Sequence, residues 1–223
     1  MYENKKYDKN INEKIMEVYT IGYSSFKLED FIKELHSHGI TCVIDVRSTP
    51  YSQRYSEYNK EALDLELKKN NIVYRNYANR FGARQENPGF YGKDGILDFK
   101  LFIQSDEFQS GIEIIKKGLD LGYTFAFMCA EKDPINCHRS IMVGQGLKNA
   151  GFIVKHIKHT GEIETQDELE QRILDMYFKD RWQLSLFSNE TENEKELIDK
   201  GYELRNKDIG YHLNDIKNKG ALI

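Results

Sequence analysis

The residues best equipped for chemistry fall in one short stretch, Cys129-Ala130-Glu131-Lys132-Asp133-Pro134-Ile135-Asn136-Cys137-His138-Arg139, which sets two thiols, a carboxylate, an imidazole and a guanidinium within a loop's length of one another. A second stretch, Asp45-Val46-Arg47-Ser48-Thr49-Pro50, adds another acid and another base. Asp45 and Glu131, brought into one crevice, would have their pKa values pushed apart. One would then serve as proton donor and the other as ionised nucleophile or oxocarbenium stabiliser, as hydrolysis or glycosyl transfer requires. The rival chemistry uses Cys129 or Cys137 as thiolate with His138 as base. Successive helical positions point about 100° apart, so His138 serves Cys129 across the loop better than its immediate neighbour Cys137. A third option is a metal held by Cys129, Cys137 and His138 with His156 or His159. The wide spacing of the cysteines and the lack of a second close pair argue against it, so no metal and no cofactor is expected. The catalytic candidates are therefore Asp45, Glu131, Cys129 and His138.

Anion binding is the second chemistry on offer. Cys137, His138 and Arg139 would open a helix, where unpaired amides and the helix dipole favour an anion and lower a thiol's pKa. Arg47 and Arg139 can each grip a phosphate or carboxylate with two parallel bonds, or pair instead with Asp45 and Glu131. With Tyr23 and Ser24 delivered beside them, the phosphate- or ligand-binding candidates are Tyr23, Ser24, Arg47, Cys137 and Arg139. Two loops interleave aromatics with arginines: Tyr51, Arg54, Tyr55 and Tyr58 in one, Arg75, Tyr77, Arg80, Phe81 and Arg84 in the other. Such loops stack nucleobases, although tyrosines of this kind also simply roof a core.

These groups need a scaffold that brings strand ends together. Residues 18–23 read as a strand, 27–38 as an amphipathic helix closed by Gly39, and 40–47 as an almost continuous apolar run typical of a central parallel strand. A helix at 59–69, a short strand at 71–74 and a long loop over 77–95 follow. Spacing makes 99–121 one helix with Phe102, Phe108, Ile112, Ile115 and Leu119 inward, then 123–129 a buried strand. Asn136 is set to cap a helix reaching Asn149, with a strand at 152–157 and a last helix at 166–178. Strands alternating with helices of this length indicate a three-layer α/β domain with a mostly parallel sheet, Rossmann-like or flavodoxin-like. In such sheets ligands bind outside the carboxyl ends of the strands, where both clusters lie. The division is an N-terminal extension over 1–16, the α/β domain over 17–180, and a C-terminal appendage over 181–223 with enough apolar residues for one short helix.

Composition narrows the class. Of 223 residues, 39% are apolar and 30% charged, with a formal net charge of -4, which fits a folded, water-soluble chain and gives no global signature of nucleic-acid binding. No run approaches the ~20 apolar residues of a membrane span, and the polar N-terminus lacks a signal-peptide core, so a cytoplasmic protein with no membrane partner is expected. The three cysteines are odd in number and sit in or beside apolar runs, which favours reduced thiols over a disulfide framework. Cys42, in mid-strand, reads as a core hydrophobe.

Two resemblances add to this. Gln183-Leu184-Ser185-Leu186-Phe187 closely resembles the motif by which bacterial proteins dock onto the DNA sliding clamp. Leu184, Leu186 and Phe187 would fill apolar pockets on the partner while the Gln183 amide fixes the register at the rim. The alternative is an edge strand of the chain's own sheet, with Trp182, Leu184 and Leu186 on one side. Secondly, Ile21-Gly22-Tyr23-Ser24, Asp45-Val46-Arg47-Ser48 with Pro50, and Cys129-Ala130-Glu131-Lys132 with Pro134 and Cys137-His138-Arg139 together resemble the prokaryotic domain-of-unknown-function 488 family over about residues 18–174. The resemblance implies a compact α/β domain whose cysteine-histidine-arginine signature falls on Cys137, His138 and Arg139, and it leaves the activity unassigned. Phe81-Gly82-Ala83 departs from the family's Leu-Gly-Gly triplet.

The expectation is thus a protein of DNA replication or repair, docked on the sliding clamp by residues 183–187, whose crevice binds a phosphate-bearing nucleotide or nucleic acid for hydrolysis or glycosyl transfer. The alternatives are a cysteine-dependent small-molecule enzyme with no DNA role and a non-catalytic clamp adaptor.

Overall fold

The apolar runs become the middle of a six-stranded sheet. A computed structural model describes residues 15–181 and 194–214. In chain order the strands are β1 (Glu17–Gly22), β2 (Cys42–Asp45), β3 (Val73–Asn76), β4 (Phe125–Cys129), β5 (Ile153–Ile157) and β6 (Ile163–Thr165), and they lie side by side as β3-β2-β4-β1-β5-β6. All neighbours run parallel except β5 and β6. β2 and β4 are buried on both faces, which is why they read as unbroken apolar runs rather than alternating ones.

Helices cover both faces, giving the expected three layers. On one side α1 (Leu28–Ser37) and α2 (Lys60–Lys69) seal a core of Ile21, Phe31, Leu35, Val43, Leu63, Leu67, Ala126 and Met128. On the other, α3 (Ala78–Phe81), α4 (Phe99–Ile103), α5 (Asp106–Asp120), α6 (Gln145–Asn149), α7 (Gln166–Tyr177) and α8 (Glu194–Ile209) pack over Val18, Ile44, Phe125 and Phe127. There Phe81 meets Phe108 and Phe127 edge-on, at 5.1 and 5.4 Å between ring centres. Each such buried ring contributes about 2 kcal/mol from removal of its surface from water.

Local chemistry explains where the elements differ from expectation. The stretch 99–121 forms two helices because the Ser105 side chain accepts the Phe108 N–H and so starts a new one. The long loop contains α3 and a 3-10 turn at Pro88–Phe90. Gly82 ends α3, where a β-carbon would sit 2.5 Å from the Ala78 carbonyl oxygen, so the Phe81-Gly82-Ala83 departure still keeps its central glycine. Asn136 is not a helix cap: it lies in a 3-10 turn capped by Asp133, and its side chain is bonded to Arg205 instead. β6 is an unanticipated antiparallel edge of three residues, leading into α7 through a Thr165–Glu168 capping box. α8 is longer than expected and packs on the domain through buried Tyr202, whose hydroxyl donates to Glu170 at 3.0 Å. The clamp-like peptide 183–187, with Trp182, lies outside the described residues. Among the described residues no helix is long and apolar enough to cross a membrane.

Candidate functional site

Cys129 closes β4 directly opposite Gly22, the last residue of β1, so two central strands end side by side. Connections from these neighbours leave on opposite faces, β1 into α1 and β4 toward α6, which opens a crevice at their carboxyl ends. The chain after β4 folds back across that end. A β-carbon on Gly22 would lie 1.9 Å from the Glu131 carbonyl oxygen, so glycine is what lets the loop cross. The Ser24 N–H donates to the Ala130 carbonyl at 3.1 Å and pins it.

The loop turns at Asp133, whose carboxylate accepts the Ile135 N–H, and at Pro134. Cys137 is then extended, with φ -134 and ψ 139, while its carbonyl accepts the N–H groups of Ser140 and Ile141. It is the cap of a helix that begins with a π-helical stretch, Arg139–Gly144, and runs on into α6. Its sulfur accepts the Arg139 N–H at 3.5 Å, the bond that a serine or aspartate cap would make.

This fold-back assembles four of the expected residues. Sγ of Cys137 lies 2.9 Å and Sγ of Cys129 3.1 Å from the same oxygen, Oε2 of Glu131. Nδ1 of His138 stands 3.8 Å from the Cys129 sulfur and 3.9 Å from that of Cys137. On the other side of the ring Nε2–H donates to the Val46 carbonyl at 3.1 Å, which ties the group to the end of β2 and turns Nδ1 toward the sulfurs. Cys129, Cys137 and His138 are buried, and Glu131 is half-buried.

Crowding sets the protonation. The hydrogen bond with Cys137 and then burial hold the Cys129 thiol well above its ordinary value. Burial acts the same way on Cys137, but the bond from Cys129, the Arg139 charge and His138 outweigh it and hold that thiol well below. Burial and then the Cys137 charge raise Glu131. Burial opposes charge on His138, yet Cys137 and Glu131 raise it overall. The group behaves as one proton-sharing unit.

The other candidates go elsewhere. Asp45, expected as an acid or base, is wholly buried and accepts bonds from the Arg47 backbone N–H, from Arg47 Nε and Nη2 and from the Tyr74 hydroxyl, at 2.6 to 3.1 Å. A carboxylate so engaged is a structural bolt. Arg47, expected on phosphate, spends its charge on Asp45, donates to the Tyr58 carbonyl and lies 5.0 Å over the Tyr23 ring. Tyr23 in turn stacks on Tyr58 and is a wall of the core. Arg139, also expected on phosphate, is 0% exposed and donates to the backbone carbonyls of Glu131 and Lys132. It holds the loop from beneath. His156 bonds Thr20 and Gln166, and exposed His159 lines a separate cavity beside Lys158, so neither joins the thiols. Cys42 is a core residue, its thiol pushed up to about 12 by burial.

One contributor, Tyr211, escaped sequence reasoning. The Arg84 guanidinium lies 4.2 Å over the ring of Tyr211, just past α8. Burial raises the Tyr211 phenol first, and then the charge of Glu131. No spacing in the sequence links Tyr211 to the motifs; only the docking of α8 brings it there.

The sequence model of a protein family described as domain of unknown function DUF488 matches residues 27–145. It spans the Asp45–Pro50 and Cys129–Arg139 motifs and stops short of the expected limits at both ends. No curated protein and no solved structure matches the chain.

Proposed function

The chain belongs to the DUF488 family, and from that premise we propose that it is a hydrolytic enzyme acting on a nucleotide or nucleic acid, with its reaction centre at Cys129, Glu131, Cys137 and His138. One observation carries the reading. A half-buried carboxylate lies against two sulfurs that also meet an imidazole, at the crevice where such sheets bind ligands. Glu131 is the member nearest solvent and the one placed to move a proton to or from a bound water. Asp45 takes no part, so the chemistry is that of one carboxylate with sulfur and imidazole neighbours rather than of a carboxylate pair.

Support for a nucleic-acid substrate comes from the rim. Arg54 lies over Tyr55, Arg80 over Tyr77 and Arg84 over Tyr211, at 5.3, 5.5 and 4.2 Å. Arg80 and Arg84 each keep a buried Nε–H with no acceptor among the described residues. Flat cation–aromatic pairs of this kind offer stacking platforms and phosphate donors together. Recruitment to DNA through Gln183, Leu184, Leu186 and Phe187 belongs to the same proposal.

The test is hydrolysis of a panel of nucleotides and single-stranded oligonucleotides by wild type and Glu131→Gln, with anisotropy of a labelled oligonucleotide for Arg84→Ala. We expect activity to fall by about 10²–10⁴-fold in the first variant and binding to weaken in the second. Equal turnover by Glu131→Gln overturns the centre. Capture by purified sliding clamp should be lost on changing Leu186 and Phe187 to alanine; unchanged capture removes the tether.

A further inference from the structure

The geometry points to Cys129, Cys137 and His138 as the protein ligands of a single Zn2+ ion, with the Glu131 carboxylate beside the two sulfurs. This rests on the reading that the same group is the reaction centre, and it adds what the group holds.

Distances come first. Zinc binds thiolate at about 2.3 Å and imidazole at about 2.0–2.1 Å, so ligand atoms at the corners of a tetrahedron stand roughly 3.5–3.8 Å apart. The two sulfur–nitrogen separations are 3.8 and 3.9 Å, and the three ligand atoms all lie within 4.8 Å of one another. Among the described residues this is the one cluster of three such groups. Little rearrangement is needed for an ion to enter between them. Glu131 Oε2, at 2.9 and 3.1 Å from the sulfurs, lies beside them and outside this group of three.

The surroundings match those of a metal site. The ring nitrogen that faces away from the sulfurs donates to a backbone carbonyl, that of Val46, which fixes the tautomer with Nδ1 as the ligand. The Cys137 sulfur receives a backbone N–H at a helix start, which favours the thiolate. The charge balance is consistent with the ion. Arg139 is 0% exposed, and its guanidinium finds only carbonyl oxygens, with Nε unpartnered among the described residues. A buried cation needs a compensating anion. Two thiolates and the Glu131 carboxylate beside them match the summed charge of Zn2+ and Arg139.

Ligand type selects the ion. Two sulfurs and an imidazole suit zinc and exclude the oxygen-seeking Mg2+ and Ca2+. Both cysteines bind as thiolates, so any proton a thiol still carries passes to the buffer as its sulfur–metal bond forms. Three protein ligands with an open fourth corner is the pattern of a site that admits water rather than of a closed structural one. That corner would put a zinc-bound water beside the Glu131 carboxylate.

The experiment uses the full chain, reduced and freed of metal with a chelator, then titrated with Co2+ and next with Zn2+. We expect one Co2+ per chain, the sulfur-to-cobalt charge-transfer band and visible bands of a tetrahedral site, and their loss when Zn2+ displaces cobalt. Cys129→Ser and His138→Gln should each weaken binding at least tenfold, while Cys42→Ser, in the core but outside the group, keeps the spectrum. Should the ligand variants fail to fold, as circular dichroism would reveal, alkylation of native wild type still decides: Zn2+ should protect Cys129 and Cys137 together. Absence of the charge-transfer band, or its survival in Cys129→Ser, overturns the inference. If zinc does not bind but Glu131→Gln abolishes hydrolysis, the metal falls and the reaction centre stands. If zinc binds and Glu131→Gln turns over normally, the reverse holds.

Discussion

Acid should destabilise this protein through His156. The imidazole is 0% exposed in β5, between β1 and the edge strand β6. Gln166 donates through Nε2 to the Ser140 carbonyl and the Tyr202 hydroxyl, so its Oε1 accepts from His156 Nε2–H, and Nδ1 accepts the Thr20 hydroxyl proton at 2.8 Å. Both nitrogens are satisfied only in the neutral ring. Burial, and then the charge of Arg139, lower its pKa from 6.5 to about 3. The folded value is thus depressed below the unfolded one, and the unfolded chain binds the extra proton between them. The contribution is therefore fully present above pH 6.5 and is lost as pH falls toward 3, at about 1.4 kcal/mol per pH unit. Between pH 7 and pH 5 the loss is about 2 kcal/mol. Urea unfolding of wild type and His156→Gln at both pH values measures it. The variant starts less stable, by about 1–3 kcal/mol for the broken hydrogen bonds, but should lose about 2 kcal/mol less than wild type on acidification. Parallel pH slopes for the two proteins would refute the assignment, whatever the absolute stabilities.

Two further outcomes follow from the site's construction. Gly22→Ala places a methyl group against the Glu131 carbonyl oxygen, so the loop must lift; we expect a lower melting temperature by several degrees, for a loss of about 1–3 kcal/mol, together with a weakened cobalt spectrum. Asp45→Asn leaves the Arg47 charge buried without its carboxylate and should cost about 3–5 kcal/mol in urea unfolding. Yet whatever folded protein remains should bind metal as wild type does, whereas an acid/base role would show as lost turnover at unchanged stability.

Much of the scaffold was legible because long apolar runs leave few choices. The runs that became β2 and β4 could only be central strands, and with α1 and α5 they fix the layers and the edge where ligands bind. Short elements were not legible: α3 and β6 are too brief to show a period, and the break at Ser105 hid inside a spacing that suits one helix as well as two. In the site, the motif keeps Cys129, Glu131, Cys137 and His138 within one loop, so local folding suffices to gather them. Asp45 and Arg47 misled because residues two apart at a strand end point the same way and satisfy each other first. The direction of Arg139 depends on where the loop backbone lies above it, and the place of Tyr211 on a helix far along the chain. Neither is written in local spacing.

The pairing of Gly22 with Cys129 has one more consequence. β1 and β4 are the inner strands of the sheet, so the group rests on the segment whose opening is equivalent to global unfolding. Nothing beneath it can breathe independently. A ligand of the proposed centre would therefore reach it from the strand-end side, where Glu131 is the member nearest solvent, rather than through the sheet.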